Sequence, residues 1–197
     1  MMGVGKSTIG KKLAKKLRLK FIDIDKIIEK KENKTIKEIF EKKSENYFRK
    51  IEKKTTLEML KKNGLVIALG GGAFINSTIR KEVIDSAVSF WLDVSLKYLL
   101  PRLKNSRKRP LLDENKLEES INEIYSERKK FYNESNFRIK CNSKNIEEIF
   151  RSSQKLKQEF LISLRIDEFI KAPPPKAITK LSFFSSLSVI FFSIFLK

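Results

Sequence analysis

The chain has 197 residues, and 41% of them are apolar, which is enough to bury the core of one ordinary domain with some length to spare. This composition excludes an intrinsically disordered protein. Histidine is absent and Cys141 is the only cysteine, which excludes an intramolecular disulfide and argues against a transition-metal site. Any metal should therefore be a hard ion with oxygen ligands, and with no signal peptide we expect a cytoplasmic protein.

The formal net charge is +19, a surplus that can indicate a nucleic-acid or anionic-membrane partner. Ten of the 43 basic residues are arginines, and the others are lysines spread along nearly every predicted helix. That distribution is typical of a solvated surface. We therefore expect no nucleic-acid partner, although a basic surface favours anionic ligands.

The motif around which the chain is organised is Gly3-Val4-Gly5-Lys6-Ser7-Thr8, which is typical of a phosphate-binding loop. In such a loop the backbone N–H groups surround phosphate oxygens, Lys6 reaches the β- and γ-phosphates, and the Ser7 hydroxyl is a Mg²⁺ ligand. A helix with an apolar stripe follows, formed by Ile9, Leu13 and Leu17. The alternative, a glycine turn before a lysine-rich helix, does not explain the whole motif.

The full phosphate-loop pattern also requires a glycine five residues before Gly5 and a hydrophobic strand before that glycine. Both would lie upstream of Met1. We therefore expect the sheet to lack its first strand, which should be its central member. We also expect the natural product to begin upstream, with about ten further residues.

An acidic strand follows the first predicted helix. The run Phe21-Ile22-Asp23-Ile24-Asp25 predicts a strand in which Asp23 and Asp25 point to the same face at the carboxyl end. Ligands of open α/β sheets bind at that end. An isolated Asp-x-Asp would instead indicate a solvated turn. Because this one follows a phosphate loop and one helix, a functional role for the two carboxylates is favoured.

Residues 26–62 have a helical pattern that is broken near Asn33 and restarts at Thr35 with the spacing of a capping box. Arg49 lies beside the apolar edge that Phe48 and Ile51 define. Spacing alone would make Arg49 a surface charge more often than a functional group.

The apolar run 64–69 predicts a strand buried on both faces, and it ends in Gly70-Gly71-Gly72. Three glycines at this position let a ligand approach the main chain, although a flexible turn is the simpler interpretation. Later elements are predicted as a helix at 76–85, a strand at 87–93, a helix to Lys104 kinked at Pro101, a helix at 117–133 carrying Arg128, a strand at 137–141 and a helix at 145–161.

Residues 105–116 have neither helical nor strand periodicity and carry Arg107 and Arg109. We predict a lid that closes over phosphates, with an ordinary charged loop as the alternative.

Together these motifs resemble the shikimate kinases over roughly residues 1–155. The matching runs are Gly3-Val4-Gly5-Lys6-Ser7-Thr8, Phe21-x-Asp23-x-Asp25, Phe48-Arg49-x-Ile51-Glu52, Gly70-Gly71-Gly72, Arg109-Pro110-Leu111-Leu112 and Arg128-x-x-x-Tyr132. The resemblance implies a three-layer α-β-α fold of the nucleoside-monophosphate-kinase type around a five-stranded parallel sheet. It also implies transfer of the γ-phosphate of ATP to the 3-hydroxyl of shikimate, by a cytoplasmic monomer in aromatic amino acid biosynthesis.

On the nucleotide side, the resemblance implies that the loop residues Gly3, Val4, Gly5, Lys6, Ser7 and Thr8 bind ATP. Ser7 and Asp23 would hold Mg²⁺, the latter through water. Arg109 would neutralise the transferring phosphoryl group, and Arg102 would stack on adenine.

On the substrate side, the resemblance implies that Asp25 binds the reacting hydroxyl and orients it or takes its proton. Arg49 and Arg128 would clamp the substrate carboxylate, a role that suits the planar guanidinium. Gly71 and Gly72 would offer backbone N–H groups. Two other functions stay open: another small-molecule kinase of this fold, such as a gluconate kinase, and a non-catalytic basic binding protein.

We predict a kinase domain at residues 1–160, a linker at 161–180 and an apolar tail at 181–197. The tail has sixteen uncharged residues between Lys180 and Lys197, whereas a helix needs roughly 20 to cross a bilayer. We therefore favour an appended segment without a role over shallow membrane insertion. A chain ending near Leu161 should then keep its activity.

Overall fold

The computed structural model of the protein describes residues 5–104 and 117–141 and the backbone of residues 188–195. Within the first range the side chains of Leu96, Arg102 and Lys104 are outside the description. The predicted lid at 105–116 and the predicted helix at 145–161 also lie outside the described residues.

The described elements alternate between helix and strand along most of the chain. In order they are α1 (Lys6–Leu17), β1 (Lys20–Asp23), α2 (Ile24–Glu32), α3 (Ile36–Lys42), α4 (Glu45–Leu60), β2 (Leu65–Leu69), a 3₁₀ turn (Ala73–Ile75), α5 (Ser77–Ser86), β3 (Ala87–Val94), α6 (Leu96–Lys104), α7 (Leu117–Tyr132), β4 (Phe137–Lys140) and β5 (Ser188–Phe195).

The helix boundaries near Asn33 and Thr35 follow from local chemistry. Asn33 ends α2 in the left-handed region with φ 49°, and Thr35 begins α3 with a complete capping box. In that box the Thr35 N–H donates to Glu38 at 2.7 Å, and the Glu38 N–H donates to the Thr35 hydroxyl at 3.2 Å. A second break, which the sequence analysis did not predict, occurs at Ser44, whose side chain caps α4.

The five strands form one parallel sheet in the order β1-β2-β5-β3-β4. This confirms the predicted α/β class and the parallel sheet, whereas the fifth strand, β5, was not predicted as a strand. All residues of β2 and β3 are buried, as expected for strands covered on both faces. The core includes the fully buried side chains of Phe74, Phe90, Trp91 and Tyr132.

The sequence predicts that the central strand of the sheet lies upstream of Met1. In the structure β5 occupies the central position. The sequence predicts that residues 181–197 form an apolar tail; in the structure Ser188–Phe195 of this segment pairs with β2 on one side and β3 on the other. The boundary at 160 and the linker at 161–180 fall on residues outside the description and stay predictions. Across the described part of the chain, no helix combines the length and hydropathy that crossing a membrane requires.

Candidate active site

The phosphate side of the site is the start of α1. Gly5 precedes this helix with φ 89°, a conformation that glycine adopts without the strain a side chain would add. The Gly5 carbonyl accepts the first helical hydrogen bond, from Ile9, at 2.9 Å. No acidic residue lies in the first turn of α1, so its positive end is left for an anion. Gly3 and Val4 lie outside the described residues, and Thr8 is exposed.

Two side chains of α1 reach the acidic end of β1. The Ser7 hydroxyl donates to the Asp23 carboxylate at 2.7 Å, and the Lys6 Nζ lies 3.8 Å from the Asp25 carboxylate. The expected strand over Phe21–Asp25 is shorter than predicted, because β1 ends at Asp23 and Asp25 lies in the first turn of α2. Asp25 therefore faces Lys6 from a helix rather than from the same face of a strand as Asp23.

The glycines that follow β2 lie against charged side chains. A Cβ atom at Gly70 would fall 2.7 Å from Glu52 Oε1 and 3.0 Å from Asp25 Oδ1. A Cβ atom at Gly72 would fall 2.7 Å from the Cζ of Arg49. A side chain at either position would push these groups away. The glycines therefore let Asp25, Glu52 and Arg49 lie directly against the main chain at the carboxyl end of β2.

Arg49 is held between two carboxylates of its own helix. Its Nε and one terminal nitrogen donate to Glu45 at 3.1 and 2.9 Å, and its other terminal nitrogen donates to Glu52 at 2.8 Å. The Glu45 side chain is 47% exposed, whereas that of Glu52 is 2% exposed. Burial acts to lower the pKa of Arg49, but the two carboxylates outweigh it and raise that pKa above its ordinary value. The guanidinium is therefore charged and fixed in direction.

Glu52 is a buried acid for which the sequence analysis proposed no role. Burial raises its pKa, with Asp25 adding to the shift and Arg49 and Lys6 opposing it. Its second oxygen, Oε1, has no hydrogen-bond partner among the described residues. An acid three positions after Arg49, on the same helix face, is the sequence signal that could have identified it.

Arg128 and Tyr132 approach the same glycines from α7. Arg128 is 9% exposed, and its Nε has no hydrogen-bond partner in the described part of the chain. The Tyr132 hydroxyl donates to the Gly71 carbonyl. Burial raises the pKa of Tyr132, and the charges of Arg128 and Arg49 oppose that shift. The positive charges of Arg128 and Arg49 therefore both act on the Tyr132 hydroxyl, which is hydrogen-bonded to Gly71.

A further arginine, which the sequence analysis missed, braces the glycine segment. Arg80 on α5 donates to the carbonyls of Phe74 and Ile75 at 3.2 and 2.9 Å, and its Nε donates to Glu134 at 2.7 Å. These bonds tie the 3₁₀ turn after Gly72 to Glu134, just after the end of α7. In sequence, Arg80 has no feature that separates it from a surface charge.

The structure thus brings most of the predicted site residues to the carboxyl edge of the sheet. These residues are Gly5, Lys6, Ser7, Asp23, Asp25, Arg49, Gly71, Gly72 and Arg128. The predictions for Arg109 and for the Arg102 side chain fall outside the described residues.

Comparison with known proteins gives one consistent match. The family model described as shikimate kinase matches residues 2–157. A shikimate kinase from Sulfurihydrogenibium sp. (strain YO3AOP1) is 46% identical over 143 residues, which cover 73% of this chain and 85% of that protein. A shikimate kinase from Persephonella marina is 42% identical over 143 residues, covering 73% of this chain and 86% of that protein.

Solved structures give the same result. The structure of shikimate kinase from Acinetobacter baumannii in complex with shikimate has a TM-score of 0.75 and 31% identity, covering 82% of this chain and 89% of that one. Shikimate kinase from Aquifex aeolicus has a TM-score of 0.71 and 32% identity, covering 80% of this chain and 92% of that one.

Proposed function

Because the chain belongs to the shikimate kinase family, we propose that it transfers the γ-phosphate of ATP to the 3-hydroxyl of shikimate. The products are shikimate 3-phosphate and ADP. The observation that carries this proposal is the convergence of Arg49, Arg128 and Asp25 around Gly70–Gly72, beside Lys6 at the start of α1.

The phosphates of ATP would bind at the N-terminus of α1. Backbone N–H groups there point toward the anion, and the Lys6 ammonium adds a full positive charge. The Lys6 Nζ is 3.8 Å from the Asp25 carboxylate, a distance at which the two groups attract without a hydrogen bond. Lys6 can therefore turn toward phosphate at small cost.

The hydroxyl of Ser7 and the carboxylate of Asp23 fit Mg²⁺, which prefers oxygen ligands and keeps several waters. Ser7 would contact the ion directly, and Asp23 would hold it through water. When bound, the ion neutralises charge on the β- and γ-phosphates. The hydrogen bond of 2.7 Å between Ser7 and Asp23 already places both oxygens together.

The carboxylate of shikimate would lie between Arg49 and Arg128. Planar guanidinium groups give paired hydrogen bonds to a carboxylate, and Arg128 has a buried nitrogen, Nε, that lacks a partner among the described residues. The pair Glu45 and Glu52 keeps the guanidinium of Arg49 from rotating. The N–H groups of Gly71 and Gly72 would complete the contact with the substrate.

Asp25 would accept a hydrogen bond from the 3-hydroxyl and align its oxygen with the γ-phosphorus. As the new P–O bond forms, the bond from the γ-phosphorus to the β,γ-bridging oxygen breaks, and ADP leaves with that electron pair. The hydroxyl proton passes to Asp25 or to water. Lys6 stays close to both Asp25 and the phosphates, where it stabilises the transferring charge.

The remaining assignments complete the proposal. Arg109 would cover the phosphoryl group, and Arg102 would stack on adenine. We further propose a cytoplasmic monomer with no nucleic-acid partner.

An ADP-release assay with purified protein tests the function. We expect ADP production to depend on both Mg²⁺ and shikimate, with quinate and gluconate giving rates near the background. A rate that rose with gluconate and not with shikimate would refute the substrate assignment. ATP hydrolysis that no acceptor stimulates would refute the transfer reaction.

A further inference from the structure

The proposed reaction gives no role to Tyr132, although the Arg128-x-x-x-Tyr132 run is among those that resemble the family. Tyr132 is the last residue of α7, and its side chain is fully buried. Its ring packs against Phe74, with ring centroids 6.5 Å apart, and against Trp91, at 6.1 Å. Because both neighbours are fully buried as well, packing sets the direction in which the Tyr132 hydroxyl points.

That hydroxyl donates to the carbonyl of Gly71. The carbonyl belongs to the central peptide of a turn, since the Ala73 N–H donates to the Gly70 carbonyl at 3.1 Å. Gly72, the third residue of this turn, has φ −82° and ψ −22°. These angles are close to the values of about −90° and about 0° that define the third residue of a type I turn.

The turn has a close alternative. Rotation of its central peptide converts type I into type II, which requires a φ of about +80° at the third residue. Most side chains disfavour that conformation, but a glycine at position 72 adopts it without steric cost. The local sequence Gly70-Gly71-Gly72 is therefore compatible with both forms and does not by itself fix one of them.

The contact with Tyr132 distinguishes the two forms. In a trans peptide the C=O and N–H bonds point in opposite directions, and the Gly71 carbonyl and the Gly72 N–H belong to the same peptide. A donor that holds this carbonyl therefore also fixes the direction of the N–H. In the rotated form the buried hydroxyl of Tyr132 would face an N–H instead of a carbonyl, and the lost hydrogen bond would disfavour that form.

The same phenol is connected to the proposed carboxylate site. Arg128, one helical turn earlier on α7, hydrogen-bonds to the Tyr132 side chain. Because arginine has only donors, the phenol oxygen accepts from Arg128 while its hydrogen is donated to Gly71. One oxygen thus links the guanidinium to the glycine turn.

We propose that Tyr132 is a positioning residue, whose hydroxyl holds the Gly71–Gly72 peptide in the type I form and so fixes the direction of the Gly72 N–H. This inference rests on the proposed function, in which the Gly72 N–H contacts shikimate. The link through Tyr132 keeps that N–H in register with Arg128, so that both donors meet the substrate in one fixed arrangement.

Steady-state kinetics of Tyr132→Phe test the proposal, since this change removes the hydroxyl and keeps the ring. The matched control is Tyr125→Phe on the same helix, because the buried Tyr125 hydroxyl has no hydrogen-bond partner among the described residues. We expect Tyr132→Phe to raise the KM for shikimate about tenfold, with kcat and the KM for ATP within about twofold. The control should change none of the three. A KM for shikimate within twofold in Tyr132→Phe, or an equal rise in both variants, would overturn the proposal.

Nuclear magnetic resonance of the glycine amides tests the turn without a kinase assay. Residual dipolar couplings of the unaltered chain should give the Gly72 N–H the direction of the type I form. In Tyr132→Phe we expect the Gly72 resonance to shift or to double as the second form becomes populated, whereas Tyr125→Phe should leave it in place. An unchanged Gly72 resonance in Tyr132→Phe would overturn the proposal. If that variant does not fold, a type II direction in the unaltered chain would overturn it and the type I direction would support it.

The two measurements also separate this inference from the proposed function. If the unaltered chain phosphorylated no shikimate but Tyr132→Phe moved the Gly72 resonance, the effect of Tyr132 on the turn would be confirmed and shikimate would be refuted as the substrate. If shikimate were phosphorylated and neither its KM nor the Gly72 resonance changed in Tyr132→Phe, the function would stand and the role of Tyr132 would be refuted.

Discussion

On the side of the site that we propose binds shikimate, Arg49 donates to Glu52 at 2.8 Å, and that carboxylate is 2% exposed. On the phosphate side, Lys6 is 3.8 Å from Asp25, with side chains that are 13% and 35% exposed. The guanidinium therefore makes a short hydrogen bond to a buried carboxylate, whereas the ammonium makes only a longer ion pair. An arginine fixed in this way suits recognition of a planar carboxylate, and a less tightly paired lysine suits a phosphate group whose charge shifts during transfer.

Asp25 lies where the two sides meet, and its substitution should have the largest effect. We expect Asp25→Asn to lower kcat by about 10²–10⁴-fold, because the amide keeps the shape but cannot accept the proton. The KM for shikimate should change little. Steady-state kinetics measure both constants, with Asp85→Asn, an exposed position on α5, as the control. A kcat within twofold of the unaltered chain would exclude Asp25 from the transfer step.

Arg49 tests the rigid substrate side. We expect Arg49→Ala to raise the KM for shikimate by about 10–100-fold, the equivalent of about 1.5–3 kcal/mol for a charge-assisted hydrogen bond. The KM for ATP should stay within about twofold. Lys50→Ala is the matched control, since it removes one positive charge from an exposed neighbouring position of α4. If both variants raised the KM for shikimate equally, general charge attraction rather than a specific contact would be responsible.

Ser7 tests the phosphate side. We expect Ser7→Ala to raise the Mg²⁺ concentration needed for half-maximal activity by about tenfold, because one oxygen ligand is lost and Asp23 loses its hydrogen-bond donor. The KM for shikimate should not change. Titration of activity with Mg²⁺ at fixed ATP measures the effect, and Ser77→Ala, at an exposed position on α5, is the control. An unchanged Mg²⁺ dependence would remove Ser7 from the proposed metal site.

Substitution of Glu52 should have the smallest kinetic effect of the four changes. We expect Glu52→Gln to raise the KM for shikimate only by about threefold to tenfold, since the neutral amide orients Arg49 less firmly. The same change at the exposed Glu45 should have less effect. If the KM for shikimate rose more in Glu45→Gln than in Glu52→Gln, Glu45 rather than Glu52 would be the main carboxylate that orients Arg49.

The pH dependence of stability follows from the raised pKa of Glu52, which burial causes. A carboxyl with a raised folded-state pKa contributes stability that is fully present below its unfolded value of 4.5, and this contribution is lost as the pH rises through the folded-state pKa. Glu52→Gln cannot lose a proton. Its melting temperature relative to the unaltered chain should therefore increase between about pH 4 and pH 7. A difference that is constant with pH would show that the pKa of Glu52 is not raised.

Local signals in the sequence were enough for much of the fold and site. The helix break near Asn33 and the capping box at Thr35 depend on neighbouring residues alone, and both were predicted correctly. The apolar run before Gly70 was predicted as a buried strand for the same reason. The phosphate-loop motif placed Lys6 and Ser7 at a helix start without any knowledge of the sheet, because glycine and the helix dipole act over a few residues.

Contacts between distant segments decided the rest. Arg80 bonds to the carbonyls of Phe74 and Ile75 because α5 lies beside them, and Glu52 is buried where α4 lies against Gly70, a residue distant in sequence. The sequence shows that 188–195 is apolar, but an apolar run is equally compatible with a buried strand or a discarded tail. Only the pairing of this segment with β2 and β3 distinguishes them, because backbone hydrogen bonds between strands carry no local signature of which strand is the partner.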